Sequence, residues 1–391
     1  MTDTELTAAS ALLAGLPTRL RFGAGTLDEL GNEAKAEGAR QVLLVTDPGI
    51  TAAGYVDRAL PSLNRAGVDA FVFDGVAENP TTDHAAAGLE VARMHGIDFI
   101  VALGGGSAMD CAKGINLLYS NGGQIADYWG IDKATKPLLP MIAVPTTAGT
   151  GSEAQSFALI SDAATRRKMA CGDRRPPREG GLRPRVAILD PDLTVTAPPR
   201  VTATAGIDAV AHAVETAATN ARKPFSRRLS FAAWNLMTGG PPSTPPTAFE
   251  TVLHDPHDDE ARWRMLLGAH LAGAAIEQSM LGAAHACANP LTARHGIPHG
   301  AAVGLMLSHV VRFNSRDDNP YADLMPDAEP LARLLERFLD AARLPRGLGD
   351  YGIAESSLPE LATLAAQEWT AAFNPRHVGA EDFLTMYRLA Y

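Results

Sequence analysis

At roughly 150 residues per domain, a chain of 391 residues holds about two or three domains, so a small stapled scaffold is excluded. Apolar residues at 46% and charged residues at 20% are ordinary globular usage, which excludes wholesale disorder and fibrous architecture. The formal charge of -10, from 44 acidic and 34 basic residues, repels a phosphate backbone and argues against a nucleic-acid partner.

The chain begins Met1-Thr2-Asp3-Thr4-Glu5, acidic where a secretory signal is basic, and Leu12 to Leu16 is too short for its apolar core. No window approaches the roughly 20 apolar residues of a membrane span, so no membrane partner is expected. Three scattered cysteines, Cys111, Cys171 and Cys287, suit a reducing compartment, and the expected location is the cytoplasm.

From about residue 19 to 191, short apolar runs alternate with helical patterns, as in a parallel sheet flanked by helices. The clearest predicted strands are Gln41 to Asp47, Ala70 to Asp74, Asp98 to Leu103, Met141 to Pro145 and Val186 to Asp190. Thr82 to His95 reads as an intervening helix. Arg174 to Arg185 carries five arginines and three prolines and reads as a solvated loop where a hairpin or short connection is expected. Beyond Asp190-Pro191-Asp192 long helical patterns take over, as in Thr202 to Thr219 and Ala261 to Cys287, with Gly239 to Pro246 breaking the run. The expected architecture is an α/β N-terminal domain with a Rossmann-like parallel sheet, residues 1–195, followed by an all-α domain, residues 196–391. A cleft between two such halves is a usual place for a ligand.

Four constellations carry chemistry. Gly104-Gly105-Gly106-Ser107 follows a predicted strand and precedes a helix; there backbone amides and the helix N-terminus suit a pyrophosphate, though a tight turn alone also calls for glycine. It is not G-x-G-x-x-G. Pro145 to Glu153 (PTTAGTGSE) also follows a strand, and its hydroxyls and glycines suit ribose and nicotinamide contacts. Asp47 ends a strand, where its carboxylate either binds a ribose diol, favouring NAD over NADP, or caps the turn at Pro48-Gly49.

Asp208 and His212 stand i,i+4 on one helix face among apolar neighbours, so they either bond to each other or share a cation. His285 and His299 stand fourteen residues apart across an expected helix-turn-helix. Together the four form an Asp-His-His-His set suited to iron(II) or zinc. His295 between them reads equally as a supporting group, a proton carrier or a surface residue, and Cys287 as a packed small hydrophobe.

The segments GGGSAMDCAK (104–113), PTTAGTGSE (145–153), GIDAVAHAVE (206–215) and HACANPLTARHGIPHG (285–300) resemble the iron-containing, group III alcohol dehydrogenases, and the resemblance runs from about Arg21 to Tyr391. It implies a dinucleotide-binding α/β domain followed by a helical metal domain. It implies that Asp208, His212, His285 and His299 hold the metal and that Gly105, Gly106, Ser107 and Asp110 line the pyrophosphate. It implies further cofactor contacts from Asp47, Asn79, Thr146, Thr147, Thr150 and Lys168, with Lys113 structural. Asn289 departs from the family, many members of which have a histidine there as a candidate proton carrier; Asn cannot shuttle a proton in that way. Proton release is then expected through His295, a ribose hydroxyl or a water chain. Ser308, where a proline is more usual, and the broken segment near Gly239 are further departures, the latter bearing on oligomer contacts.

The function expected is NAD-dependent, metal-assisted interconversion of a small alcohol and its aldehyde or ketone, by a homodimer or higher homo-oligomer. Alternatives on the same fold are a polyol dehydrogenase, a maleylacetate-type reductase, a lyase resembling dehydroquinate synthase and a non-catalytic cofactor-binding scaffold.

Overall fold

Alternate residues of the apolar runs point to opposite faces of one parallel sheet, which explains why the runs are almost continuously apolar. Val42, Leu44, Phe99, Val101 and Leu103 enter the core on one face, while Leu43, Val45, Ile100 and Ala102 enter the core on the other. The computed structural model describes residues 12–165, 167–240 and 245–391. The chain divides into two units, one running through Thr147 and resuming over Ser152–Ala197, the other comprising Ala148–Gly151 and Pro198–Tyr391.

The first unit contains β1 (Arg19–Phe22), α1 (Leu30–Ala36), β2 (Gln41–Val45), α2 (Pro48–Ala52), α3 (Tyr55–Arg65), β3 (Asp69–Phe73), α4 (Thr82–His95), β4 (Phe99–Gly104) and α5 (Gly106–Asn121). It continues with β5 (Gly130–Ile131), β6 (Met141–Pro145), β7 (Phe157–Ser161), β8 (Lys168–Gly172) and β9 (Val186–Leu189). Six strands form a parallel sheet in the order β1-β9-β6-β4-β2-β3. From β2 the chain moves outward to β3, then returns to place β4 on the other side of β2. Strand order thus reverses between β2 and β4, the crevice where such sheets take ligands.

A second, three-stranded sheet, β5-β8-β7, was not foreseen, because its strands are short and carry polar residues at the ends. The expected hairpin is its β7-β8 pair, placed before the arginine-rich loop rather than within it. That loop is also less solvated than its composition suggests: Arg174 pairs with Asp132, Arg175 with Asp173 and Arg178 with Glu37, while Pro177 and Leu182 are buried.

The helical unit contains α6 (Pro199–Ala218), α7 (Pro224–Thr238), α8 (Ala248–His254), α9 (Asp259–Ser279), α10 (Ala283–His295), α11 (His299–Asn314), α12 (Ala328–Ala341), α13 (Leu358–Gln367) and α14 (Ala380–Leu389). Every residue of α6 from Gly206 to Ala218 is buried, as expected for a helix apolar on nearly all sides. The single helix expected over Ala261 to Cys287 is two helices: Met280 adopts φ 63 and Gly282 caps α10, so the chain turns before His285. Residues 241–244, the centre of the broken segment at 239–246, lie outside the described residues. No helix among the described residues is long and apolar enough to cross a membrane.

Candidate active site

In the α/β unit, β2, β4 and β6 run parallel and side by side, so their C-terminal ends gather three of the expected motifs. Gly104 adopts φ +151, and a Cβ there would stand 2.8 Å from the Cβ of Ala108; only glycine allows this turn into α5. Gly105 is the N-cap of α5 with no side chain bonded to the first turn, which leaves the amides of Gly106 and Ser107 facing outward from a sixteen-residue helix. A Cβ on Gly105 would lie 3.4 Å from Thr147 Oγ1, so the loop after β6 stands directly over this turn. Thr146 is buried.

Asp47 takes the capping role of its two sequence readings. Its Oδ1 accepts from the amides of Gly49 (2.9 Å) and Ile50 (3.1 Å), capping α2. Its Oδ2 reaches toward Gly104, where a Cβ would come within 3.4 Å. One oxygen caps; the other is directed at the glycine turn.

Asp110 is held by structure rather than aimed outward. Its Oδ1 accepts from Ser152 Oγ at 2.9 Å, and Lys113 Nζ donates to Ser152 Oγ (2.8 Å), Ser152 O (2.7 Å) and Phe157 O (2.8 Å). Burial raises the Asp110 carboxyl above its ordinary range against the pull of Lys113, Ser152 and Lys168. Asp110, Lys113 and Lys168 therefore tie α5 to the 152–168 region. Asn79 adopts φ 53 just before Pro80, a conformation that Asn tolerates better than most residues. Thr150 belongs to the short piece packed with the helical unit. Its neighbour Gly151 lies where a Cβ would meet Gly273 Cα of α9 at 2.5 Å, and Gly149 where a Cβ would meet Ala205 of α6 at 2.8 Å.

In the helical unit, three histidines converge on one carboxylate oxygen. Asp208 Oδ1 lies 3.4 Å from His212 Nε2, 3.5 Å from His285 Nε2 and 3.9 Å from His299 Nε2. The imidazoles of His212 and His285 are stacked 5.0 Å apart, and those of His285 and His299 are 5.3 Å apart. Helix α6 supplies Asp208 and His212, α10 supplies His285, and His299 is the first residue of α11. That last placement depends on Gly300, because a Cβ there would sit 1.9 Å from the carbonyl oxygen of Thr204 on α6.

The donor set fits a metal ion. Asp208, His212 and His285 are buried, and their ligand atoms lie within 4.8 Å of one another. Asp208 Oδ1 and His285 Nε2 are buried without a hydrogen-bond partner, a costly arrangement unless a cation sits among them. Burial pushes the Asp208 carboxyl up, yet the surrounding imidazoles of His212, His285 and His299 hold it well below the usual range. Burial works against charge on His285, yet Glu215 and Asp208 hold its pKa up to about 9. The site is thus poised to attract positive charge, whether a proton or a metal.

Glu215 was missed in the sequence, although it stands i+3 from His212 and i+7 from Asp208 on the same helix face. Asn289, one turn beyond His285, donates from Nδ2 to Glu368 Oε2 at 2.8 Å, a partner 79 positions away that no local pattern indicates. His295 is exposed at the far end of α10, ten residues and so about 15 Å along the helix from His285, and the fold does not bring it to the histidine cluster. Cys287 is buried and free, as a small hydrophobe would be.

Two family models match: iron-containing alcohol dehydrogenase over residues 17–191, and the C-terminal region of the Fe-containing alcohol dehydrogenase family over residues 202–391. Alcohol dehydrogenase 4 of Schizosaccharomyces pombe is 36% identical over 386 residues, covering 96% of this chain and 88% of the relative. The 1,3-propanediol dehydrogenase of Citrobacter freundii is 33% identical, covering 95% of this chain and 96% of its own length. Among solved structures, sulfoacetaldehyde reductase from Bifidobacterium kashiwanohense in complex with NAD+ superimposes with a TM-score of 0.84 at 28% identity, covering 96% of this chain and 97% of that one. With both halves matched and relatives aligned nearly end to end, the chain belongs to the iron-containing alcohol dehydrogenase family.

Proposed function

We propose that this protein is a metal-dependent, NAD-linked alcohol dehydrogenase that interconverts a small alcohol and its aldehyde or ketone. Residues 1–195 bind the dinucleotide and residues 196–391 hold the metal and the substrate oxygen. The observation that carries this reading is the convergence of three imidazole Nε2 atoms on Asp208 Oδ1 in a buried cluster. Asp208, His212, His285 and His299 would hold a divalent ion, iron(II) by family membership and zinc by the same donor chemistry. Such an ion, when bound, acts as a Lewis acid toward an alcohol or carbonyl oxygen.

The protein's own residues bind, orient and select. The amides of Gly105, Gly106 and Ser107 take the pyrophosphate at the N-terminus of α5, while Thr146, Thr147 and Thr150 supply hydroxyls and Asn79 an amide to the rest of the cofactor. Asp110 and Lys168 support this region through Ser152 and Lys113. Asp47 Oδ2 accepts from the adenosine ribose and repels a 2′-phosphate. Asn289, anchored by Glu368, orients substrate but does not exchange protons; the alcohol proton leaves through a ribose hydroxyl or water.

An Asp47→Ala variant is expected to narrow the preference for NAD over NADP by on the order of 10- to 100-fold, as a like-charge repulsion is removed. It should also lose about 1 kcal/mol with the α2 cap. Paired coenzyme titrations and thermal melts check both; an unchanged preference would place the selecting group elsewhere.

The function is tested by following NADH formation with a panel of small alcohols and diols, wild type against His285→Ala. Turnover that disappears in the variant supports the reading, whereas equal turnover in both contradicts it. Three buried free cysteines agree with a cytoplasmic setting. The assembly that family membership leads us to expect is a homodimer or larger homo-oligomer.

A further inference from the structure

Glu215 is a buried carboxylate whose ion-pair partner among the described residues is His285, with no lysine or arginine set against it. Its Oε2 lies 2.5 Å from His285 Nδ1, and its Oε1 accepts from the amide of Ala284 at 2.7 Å. Gly282 makes this approach possible, since a Cβ there would stand 3.1 Å from both Glu215 Oε1 and Asn374 Oδ1. Glu215 therefore reaches from α6 to satisfy the first turn of α10, the turn that carries His285. The amide of Ala283 is satisfied by Asn374 Oδ1, and Asn374 is held in turn by reciprocal hydrogen bonds with Asn314.

A carboxylate only accepts, so His285 Nδ1 must donate. The Nε2 lone pair is then the one presented toward Asp208. We propose that Glu215 is a positioning residue of the metal centre: it fixes the tautomer and direction of His285 and supplies the second buried negative charge of a site built for a dication. This rests on the metal reading above. The charge count supports it, because two buried carboxylates and neutral imidazoles are balanced by an ion of charge two, and a ligating histidine is ordinarily anchored through its other nitrogen.

Glu215→Gln tests this with little change of shape. Glutamine offers one acceptor oxygen and one NH2 where the native residue offers two acceptors to two donors. If the NH2 faces His285 Nδ1, the imidazole must carry its proton on Nε2 and cannot ligate; if it faces Ala284, two N–H groups collide. The variant and wild type are stripped, loaded with cobalt(II) or zinc(II), and measured by chelator competition, visible absorption of the cobalt form, NADH titration and thermal melting. The expected result is metal affinity weakened by about 10- to 100-fold, an altered cobalt spectrum and unchanged NADH binding. A lower melting temperature with unchanged metal affinity and cobalt spectrum would mean that Glu215 is only a helix cap, overturning the proposal. Should Glu215→Gln not fold, Glu215→Asp keeps the charge but withdraws the oxygens by one methylene; weaker metal binding supports the proposal and equal binding overturns it. Wild type that holds no divalent ion would instead remove the metal reading itself.

Discussion

An Asp208→Ala variant is expected to lose its divalent metal and its alcohol-dependent NADH formation together, turnover falling by on the order of a thousandfold or more, while NADH binds as in wild type. Asp208 Oδ1 is the atom on which all three histidines converge, and it is the one carboxylate among the four expected ligands. Without it, the buried imidazoles of His212 and His285, the partly buried imidazole of His299 and a dication would share a site with too little negative charge to offset desolvation. Of the residues assigned to the dinucleotide, Asp47, Gly105, Gly106, Ser107, Thr146 and Thr147 sit at the ends of β2, β4 and β6 and at the start of α5, in the α/β unit, which does not contain Asp208. Metal analysis and NADH titration of the purified variant check the two halves separately. A variant that keeps stoichiometric metal would mean that Asp208 is not a ligand.

Gly300→Ala is expected to destabilise the helical unit by about 3 kcal/mol and to weaken metal binding with it. The added Cβ would meet the Thr204 carbonyl oxygen at 1.9 Å and its carbon at 2.8 Å, so the obstacle is backbone and cannot rotate aside. Helix α11 must back away from α6, and His299, one residue before Gly300, moves with it. Gly304→Ala is the comparison: there the nearest atom is Ile207 Cγ2 at 2.4 Å, a side chain with other rotamers, and a smaller loss is expected. Thermal melts with metal titrations of both variants check this ordering; equal effects would mean that α11 does not depend on the close approach at Gly300.

What was legible in the sequence follows from periodicity. Strands buried on both faces announce themselves as continuous apolar runs, hence the correct placement of β2, β4, β6 and β9, while β3, an edge strand with Val72 exposed, is marked by its short apolar run alone. The i,i+4 spacing of Asp208 and His212 needs only helix geometry to put both on one face. The rest depends on tertiary approach. His299 reaches Asp208 only because Gly300 admits the backbone of α6, and the break at Met280 that sets His285 in a first turn leaves no periodic mark. Glu215 is a third polar residue on the Asp208 face, but what distinguishes it from an ordinary charged position is the start of α10 against it, a tertiary contact. Composition misled at Arg174 to Arg185, where Arg174 and Arg178 find acids from distant segments and Arg175 pairs with neighbouring Asp173, and could not show that Asp110 is turned toward Ser152.

The most direct measurement is to strip the protein of metal, titrate it with iron(II) in the absence of oxygen, and follow bound metal and alcohol-dependent NADH formation in the same samples, beside Asp208→Ala. A metal-assisted dehydrogenase built on Asp208, His212, His285 and His299 predicts no NADH from the stripped protein, activity rising in proportion to bound iron and saturating at one ion per chain, and neither signal in the variant. Undiminished NADH formation by the stripped protein, or iron-dependent activity that survives in Asp208→Ala, would contradict it.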